Sequence, residues 1–213
     1  MSPVFARYFI ALGFTALLFI SACGGGGSSS VTSPDISSTG SLAETPTDEL
    51  CTPVGSLLDC ELDIGGLDRR FKIYEPSNLS PDVALPLLFN FHGYGSNADQ
   101  QLIYGDFRGL ADEETFILVV PQGSLLEGTT HWNSDSEFTS KSTADDLGFV
   151  SRMIDELGAR YNIDNTRVYA AGMSNGGAMS LYLACSLSDQ ITAVASVTGF
   201  MSADLLSNCG AVN

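Results

Sequence analysis

The sequence predicts a single α/β domain in which a mostly parallel sheet lies between two layers of helices. Two observations lead to this prediction: short apolar runs typical of buried strands recur after residue 50, and amphipathic helical segments separate them. Because strands that alternate with helices are joined by crossovers, we expect parallel pairing and helices on both faces. With 213 residues, of which 44% are hydrophobic, the chain can bury one sizeable core.

Five segments are predicted as strands. The first, RRFKIYEP, alternates polar and apolar residues with a period of two, which is typical of a strand with one buried face. The other four are continuous apolar runs bounded by Pro or Gly, which suits strands covered on both faces. They are LPLLFNF (85–91), FILVVPQ (116–122), RVYAAG (167–172) and ITAVASVTG (191–199).

Three helices are predicted between these strands, over Ala98–Glu114, Asp145–Tyr161 and Asn175–Leu187. In the second, apolar residues recur at spacings of three and four, and Asp145 and Asp146 occupy the first turn, where the helix dipole favours negative charge. No third ligand lies within local reach of these two aspartates. We therefore interpret them as residues of the helix start and not as a metal site.

The stretch GMSNG, residues 172–176, lies between a predicted strand and the helix that follows it. It fits G-x-S-x-G, the turn that places a serine at the carboxyl edge of a sheet, with the next helix directing its positive end at a developing oxyanion. Gly172 and Gly176 suit this tight turn because side chains there would collide with neighbouring backbone. We predict Ser174 as a nucleophile; the alternative is a serine in an ordinary Gly-rich turn.

The stretch NFHGYGSN, residues 90–97, follows the apolar run LPLLF. A His-Gly pair at the end of that strand is where α/β-hydrolases supply an oxyanion-hole amide. The predicted donors are the backbone N–H of Tyr94 and the backbone N–H of Asn175, which follows the nucleophile. His92 is predicted to position the loop, with a hydrogen-bonded turn histidine and a general base as the alternatives.

His131 and Trp132 lie in the polar stretch GTTHWNSDSEF, after the run FILVVPQG. A loop at that edge of the sheet can reach the site. His131 could then serve as the base for Ser174, and Trp132 could form an aromatic wall for the acyl group. The interpretation we favour is a solvent-exposed histidine and a tryptophan packed for structure.

The first 49 residues are predicted to lie outside the folded domain. MSPVFAR, the apolar run YFIALGFTALLFI and SAC have the layout of a secretory signal peptide, and the apolar run is shorter than the roughly 20 residues that span a bilayer. ISAC resembles the bacterial lipobox and precedes GGGGSSS, a flexible tether, which predicts lipidation at Cys23. An ordinary signal peptide is the alternative. We divide the chain into signal (1–22), flexible linker (23–49) and domain (50–213).

This division predicts an exported protein, attached to the cell envelope through a lipid anchor at Cys23 or released outside the cell. Gly24 stands where lipoproteins retained at the inner membrane have aspartate, which favours the outer membrane. The chain carries 25 acidic against 9 basic residues, a formal charge of −16 without a basic cluster, so a nucleic-acid partner is not expected.

Four cysteines remain in a chain expected to reach an oxidising compartment: Cys51, Cys60, Cys185 and Cys209. They allow three pairings, of which the local one, Cys51 with Cys60 and Cys185 with Cys209, closes the shortest loops. None lies at metal-ligand spacing beside a histidine, so no zinc site is expected.

Several segments together resemble the secreted polyhydroxybutyrate depolymerase and feruloyl esterase group of α/β-hydrolases, over about residues 67–199. They are FHGYGSNA, HWN, DDLGFVSRMID, YNIDNTRVYAAGMSNGGAMSLYLAC and ITAVASVTG. The resemblance implies an α/β-hydrolase fold and a serine carboxylic-ester hydrolase acting on hydroxyalkanoate or hydroxycinnamate esters, without metal or cofactor. It also implies a disulfide from Cys185 to Cys209.

The chain departs from the family pattern downstream of Ser174. An α/β-hydrolase triad runs in the order Ser, Asp or Glu, His, whereas the two histidines of this chain both precede Ser174. Asp189 and Asp204 follow it, but we assign neither as the triad acid. We expect a C-terminally truncated member of the family with little esterase activity, in which ITAVASV forms an open sheet edge. Two alternatives stay open: a non-catalytic surface lipoprotein that binds polymer or glycan, and a serine peptidase on the same frame.

Overall fold

In the computed structural model of the chain, residues 50–134 and 142–209 are described. The predicted signal peptide, Cys23 and the linker lie outside these residues. Within them the chain forms nine strands and five helices. In chain order these are β1 Cys51–Val54, β2 Leu57–Ile64, β3 Leu67–Tyr74, β4 Leu85–Phe91, α1 Ala98–Tyr104, α2 Arg108–Glu114, β5 Ile117–Pro121, β6 Ser124–Leu126, β7 Thr129–His131, α3 Asp146–Arg160, β8 Ile163–Met173, α4 Asn175–Ser186, β9 Ala193–Val197 and α5 Ala203–Asn208.

Seven of these strands form one sheet in the order β1-β2-β3-β5-β4-β8-β9. β4 pairs in parallel with both β5 and β8, and β9 pairs in parallel with β8. β2 pairs in antiparallel register with both β1 and β3, and β3 joins β5 in antiparallel register. Five described strands, β2, β5, β4, β8 and β9, therefore point in one direction. β6 and β7 form a separate hairpin.

Helices cover both faces of the sheet. In β5, Ile117 and Val119 face a core that also contains residues of α3 and α4, whereas Leu118 and Val120 face a second core with residues of α1 and α2. All five residues of β5 are buried, which explains why this strand is a continuous apolar run. The predicted three-layer α/β architecture is confirmed.

Four described strands, β1, β2, β6 and β7, are missing from the sequence prediction. β2 carries a period-two signal, because Cys60, Leu62 and Ile64 alternate with acidic residues. Gly65 and Gly66, with φ of 64° and 83°, form the two-residue turn that joins β2 to β3. A Gly-Gly pair between alternating runs is an established hairpin signal, so this hairpin was readable from the sequence.

The predicted helix Ala98–Glu114 is wrong as a single element, because it is interrupted at Gly105–Phe107. The Asn90 side chain donates to the Gly105 carbonyl oxygen (2.9 Å), and the Asp106 carboxylate accepts the Arg108 backbone N–H (3.1 Å). These bonds from side chains replace helical backbone bonds, so α1 ends and α2 begins. The prediction Asp145–Tyr161 exceeds α3 by one residue at each end, and Asn175–Leu187 exceeds α4 by one residue at its C-terminal end.

Two disulfides connect parts of the described domain. Cys51 and Cys60 are register partners on β1 and β2, and their bond crosses that pair of strands. The second bond joins Cys185 of α4 to Cys209, the residue after α5. No helix in the two described ranges is long and apolar enough to cross a membrane.

β9 lies at one edge of the seven-stranded sheet, as expected for ITAVASV. Its residues alternate between exposed and half-buried, and the Val197 side chain is 59% exposed. The backbone of Val197 nevertheless contacts the residue that follows the neighbouring strand β8, because its carbonyl oxygen accepts the Ser174 N–H at 2.9 Å. The end of this edge strand is therefore part of the turn that holds Ser174.

Candidate active site

Ser174 occupies the turn between β8 and α4, at the carboxyl edge of the parallel strands. Its side chain is exposed, and its backbone has φ 54° and ψ −117°. A positive φ at a residue with a side chain costs on the order of 1–3 kcal/mol and persists only where the surrounding structure enforces it. Such a strained strand-to-helix turn is the geometry that presents a nucleophilic serine in α/β-hydrolases.

Gly172 and Gly176 allow this turn by leaving space for backbone. A Cβ on Gly172 would collide with the backbone of Gly176, and a Cβ on Gly176 would collide with the carbonyl groups of Phe91 and His92. The collision predicted from the motif is therefore present, and it involves the end of β4 as well as the turn itself. Any larger residue at position 176 would push α4 away from the His92 loop.

The loop after β4 lies directly against Ser174. A Cβ on Gly93 would lie 3.4 Å from the Met173 carbonyl oxygen and 3.6 Å from the Ser174 Cβ. Among the described residues, neither the Tyr94 N–H nor the Asn175 N–H has a hydrogen-bond partner. Asn175 is the first residue of α4, so the positive end of that helix also lies here. Two backbone donors without a partner among the described residues thus belong to the segments that meet at the exposed Ser174.

His92 is fully buried beneath this loop and holds it in place. Its Nε2 accepts the Gly123 N–H (2.9 Å), which makes Nδ1 the protonated nitrogen that donates to the Gly93 carbonyl oxygen (2.8 Å). Burial lowers the pKa of His92, and the bond to Gly93 only partly opposes that effect. Both ring nitrogens are therefore engaged in bonds to backbone, and the geometry supports a positioning role and not that of a base.

His131 is not the exposed loop residue that we expected. It ends β7, is 3% exposed, and its ring nitrogens lie 3.1 Å from the Ser124 carbonyl oxygen and 3.0 Å from Asn133 Oδ1. The β6–β7 hairpin, which the sequence prediction missed, explains this burial. Within the described ranges, no side chain is hydrogen-bonded to the Ser174 hydroxyl, and the two histidines of the chain are bonded elsewhere.

Trp132 packs inside the domain, as our favoured interpretation predicted, and does not form an open aromatic wall. It is 2% exposed, with its ring 5.1 Å from that of Phe91 and 5.0 Å from that of His92. Its indole N–H donates to the His92 carbonyl oxygen (2.9 Å). Its backbone binds the Asn175 side chain through two bonds, from N–H to Oδ1 (2.7 Å) and from Nδ2 to the carbonyl oxygen (3.1 Å).

A buried ion pair beneath this region escaped the sequence prediction. Arg69 of β3 donates to Asp146 of α3 at 2.7 Å, and both side chains are almost fully buried. The other oxygen of Asp146 accepts the Asn133 N–H (2.7 Å), one residue beyond Trp132. Both aspartates lie at the helix start as predicted: the Asp145 carboxylate accepts the Gly148 N–H, and Asp146 is the acidic residue of the first turn. Asp146 in addition ties the helix to the loop that bonds to Asn175.

The downstream aspartates lie apart from this arrangement. Asp189 is exposed in the turn after α4, and Asp204 is exposed in the first turn of α5. Among the described residues neither carboxylate is bonded to Ser174. Those residues also contain no group of three or more His, Cys, Asp or Glu side chains placed to hold a metal ion.

The chain matches known esterases in sequence. The pattern of the family described as Esterase PHB depolymerase matches residues 71–213. A bifunctional acetylxylan esterase/xylanase of Neocallimastix patriciarum is 34% identical over 63% of the chain and 18% of its own length. Feruloyl esterase B of Piromyces equi is 33% identical over 60% of the chain and 23% of its own length. The chain therefore spans about a fifth of these two relatives.

Solved structures agree on the fold. A thermostable esterase covers 72% of the chain with a TM-score of 0.59 and 20% identity, and 44% of that structure is covered. Acetyl xylan esterase from Aspergillus awamori covers 68% with a TM-score of 0.57 and 21% identity, and 52% of that structure is covered. These likenesses confirm the α/β-hydrolase fold. The match over residues 71–213 shows that the chain belongs to the Esterase PHB depolymerase family.

Proposed function

We propose that this chain is a serine carboxylic-ester hydrolase that forms an acyl-enzyme on Ser174. One observation carries the proposal: an exposed serine in a strained strand-to-helix turn lies beside two backbone N–H groups without partners in the described residues. Membership of the esterase family supports the same assignment. No cofactor or metal enters the reaction that we propose.

In this reaction Ser174 Oγ attacks the ester carbonyl carbon, and the electron pair of the carbonyl bond moves onto its oxygen. The Tyr94 and Asn175 N–H groups, together with the positive end of α4, stabilise that oxyanion. The intermediate collapses by expelling the alcohol, which takes up the proton lost from Ser174 Oγ, and leaves an acyl group on Ser174. Water then attacks the acyl carbonyl carbon, the bond from that carbon to Ser174 Oγ breaks, and Oγ takes up a proton from the water as the carboxylic acid leaves. Each oxyanion donor typically contributes about 10²–10³ in rate.

The proton on the Ser174 hydroxyl needs a base, and His92 and His131 are both bonded to other groups. We therefore propose that the 213 residues alone turn over esters slowly. Without a triad base, the oxyanion hole and substrate binding together give a residual acceleration of about 10³–10⁴ over water.

For the substrate we propose hydroxyalkanoate esters of the polyhydroxybutyrate type or feruloyl-type esters. The family description supports the first class, and relatives named as feruloyl esterases support the second. Export fits the two disulfides, since such bonds persist in oxidising compartments. Lipid attachment at Cys23, to the outer membrane or another part of the envelope, is part of the same proposal.

The second candidate function is non-catalytic binding of polymer or glycan at the cell surface. The placement of both histidines favours it, because the described residues supply no base at Ser174. It differs from the esterase in one property, which is the reactivity of the serine.

A fluorophosphonate probe separates the two candidates, because it labels an activated serine and ignores an inert one. Because the oxyanion donors activate Ser174 only in part, we expect slow labelling of residues 24–213 that Ser174→Ala abolishes, together with slow, Ser174-dependent release of p-nitrophenol from p-nitrophenyl butyrate. Ser180→Ala is the matched control, since Ser180 is buried in α4 and bonded to Gly176. Labelling that survives Ser174→Ala, or no labelling at all, would reject the esterase proposal.

A further inference from the structure

Two different segments supply the N–H groups near Ser174 that have no partner among residues 50–134 and 142–209. Tyr94 belongs to the loop after β4, whereas Asn175 begins α4. An oxyanion is stabilised only when both donors lie about 2.7–3.1 Å from one point in space, so the distance between the two segments matters as much as each donor. Neighbouring strands fix that distance only approximately, because loops move more than the sheet that bears them.

Trp132 contacts both segments. Its indole N–H donates to the carbonyl oxygen of His92, two residues before Tyr94. Its backbone N–H and carbonyl form the two bonds to the Asn175 side chain, whose Nδ2 also donates to Ser134 Oγ at 3.1 Å. One residue therefore joins the loop after β4 to the first residue of α4.

Trp132 is itself held on several sides. Its ring packs against Phe91 and His92, and it is 2% exposed. The next residue, Asn133, donates its N–H to Asp146, which is paired with the buried Arg69. Because side chains that are locked by packing and by further bonds hold a site more accurately than mobile ones, this residue is well placed to set a distance.

We propose that Trp132 is a positioning residue that fixes the spacing of the two oxyanion donors, through its indole bond to His92 and its backbone bonds to the Asn175 side chain. This inference rests on the proposed function. It assigns to Asn175 a second role, since the side chain sets the position of the segment whose backbone N–H is a donor. A misplacement of about 1 Å can cost roughly 10²-fold in rate.

The test compares three variants of residues 24–213 with the unsubstituted chain. Trp132→Phe keeps an aromatic ring and removes the indole N–H, and Asn175→Ala removes the side-chain amide while keeping the backbone donor. Asn90→Ala is the matched control: Asn90 is an asparagine more buried than Asn175, with two side-chain bonds, to Gly105 and Gln101, on the α1 side of the sheet.

We expect kcat for p-nitrophenyl butyrate to fall about 10- to 100-fold in Trp132→Phe and Asn175→Ala, with KM within about twofold, because the donors act on the transition state. In Asn90→Ala we expect kcat within about twofold and a lower Tm. A lost packing contact alone would lower Tm without this selective effect on kcat. Unchanged kcat in both site variants would overturn the inference.

A second measurement does not depend on turnover. Trp132 is the one tryptophan of the chain, so the ¹⁵N-labelled protein has a single indole N–H resonance. We expect Asn175→Ala to accelerate its exchange with solvent about tenfold or more relative to Asn90→Ala. Equal exchange in the two variants would reject the connection. An unsubstituted chain that neither cleaves ester nor reacts with fluorophosphonate would reject the proposed function first, and the inference with it.

Discussion

On one side of Ser174, two backbone donors lie between segments that His92, Trp132 and Asn175 bind together. On the other side, no described residue bonds to the hydroxyl. The two sides of Ser174 are built from different segments of the chain. The donor side is built from β4, the loop after β7 and the β8–α4 turn, all of which the described residues contain. In the family's chain order, the acid and base follow the nucleophile.

The largest expected effect concerns the buried ion pair under the donor side. Arg69→Met leaves Asp146 buried without its partner, so we expect a loss of about 3–5 kcal/mol in the free energy of unfolding. Arg70→Met, one residue along β3, removes an exposed partner of Glu61 and is expected to cost about 0.5 kcal/mol or less. Urea denaturation of both variants measures the difference. Equal losses would show that the buried pair does not stabilise this region.

The next effect concerns the tight turn itself. Gly176→Ala places a Cβ against the carbonyl groups of Phe91 and His92, so we expect a loss of about 1–3 kcal/mol and a slower reaction of Ser174 with fluorophosphonate. Gly158→Ala, in α3, meets nothing within 4 Å and is expected to stabilise the chain by about 0.5–1 kcal/mol. A harmless substitution at position 176 would contradict the described turn.

The pH dependence of stability reports on His92. Its pKa is lowered in the folded state by burial, so the unfolded chain binds a proton more readily as the pH falls below about 6.5. Stability is then lost with falling pH, by at most about 1.4 kcal/mol per pH unit from this group. Urea denaturation of the chain and of His92→Gln at pH 7 and 5 isolates the contribution. The two chains would show the same pH dependence if His92 were not buried as a neutral ring.

The smallest expected effect concerns the side of Ser174 on which no described residue bonds to the hydroxyl. Added imidazole can take the proton from Ser174 if that position is open, so we expect ester turnover to rise modestly and in proportion to imidazole concentration. Ser174→Ala supplies the background rate of imidazole itself. A rate that does not respond would indicate that a base already serves Ser174, and the contrast between the two sides would disappear.

The sequence predicted the central strands and the Ser174 turn because their signals are local. A continuous apolar run identifies β5, and two glycines spaced around a serine identify the turn. The burial of His131 follows from the short β6–β7 hairpin, whose strands of three residues each carry little periodic signal. The Arg69–Asp146 pair depends on a contact between residues 77 positions apart in the chain. Charge and spacing do not encode such contacts, so Asp146 was read only as a residue of the helix start.

The two disulfides also bear on where this domain can be stable. Closing loops of 9 and 24 residues lowers the entropy of the unfolded chain by an amount worth about 3 kcal/mol each. A domain of this size is typically stable by only about 5–15 kcal/mol in total. The chain with free thiols would therefore lose a large fraction of its folding stability. The domain therefore reaches its full stability only in a compartment that oxidises these four cysteines to the two disulfides.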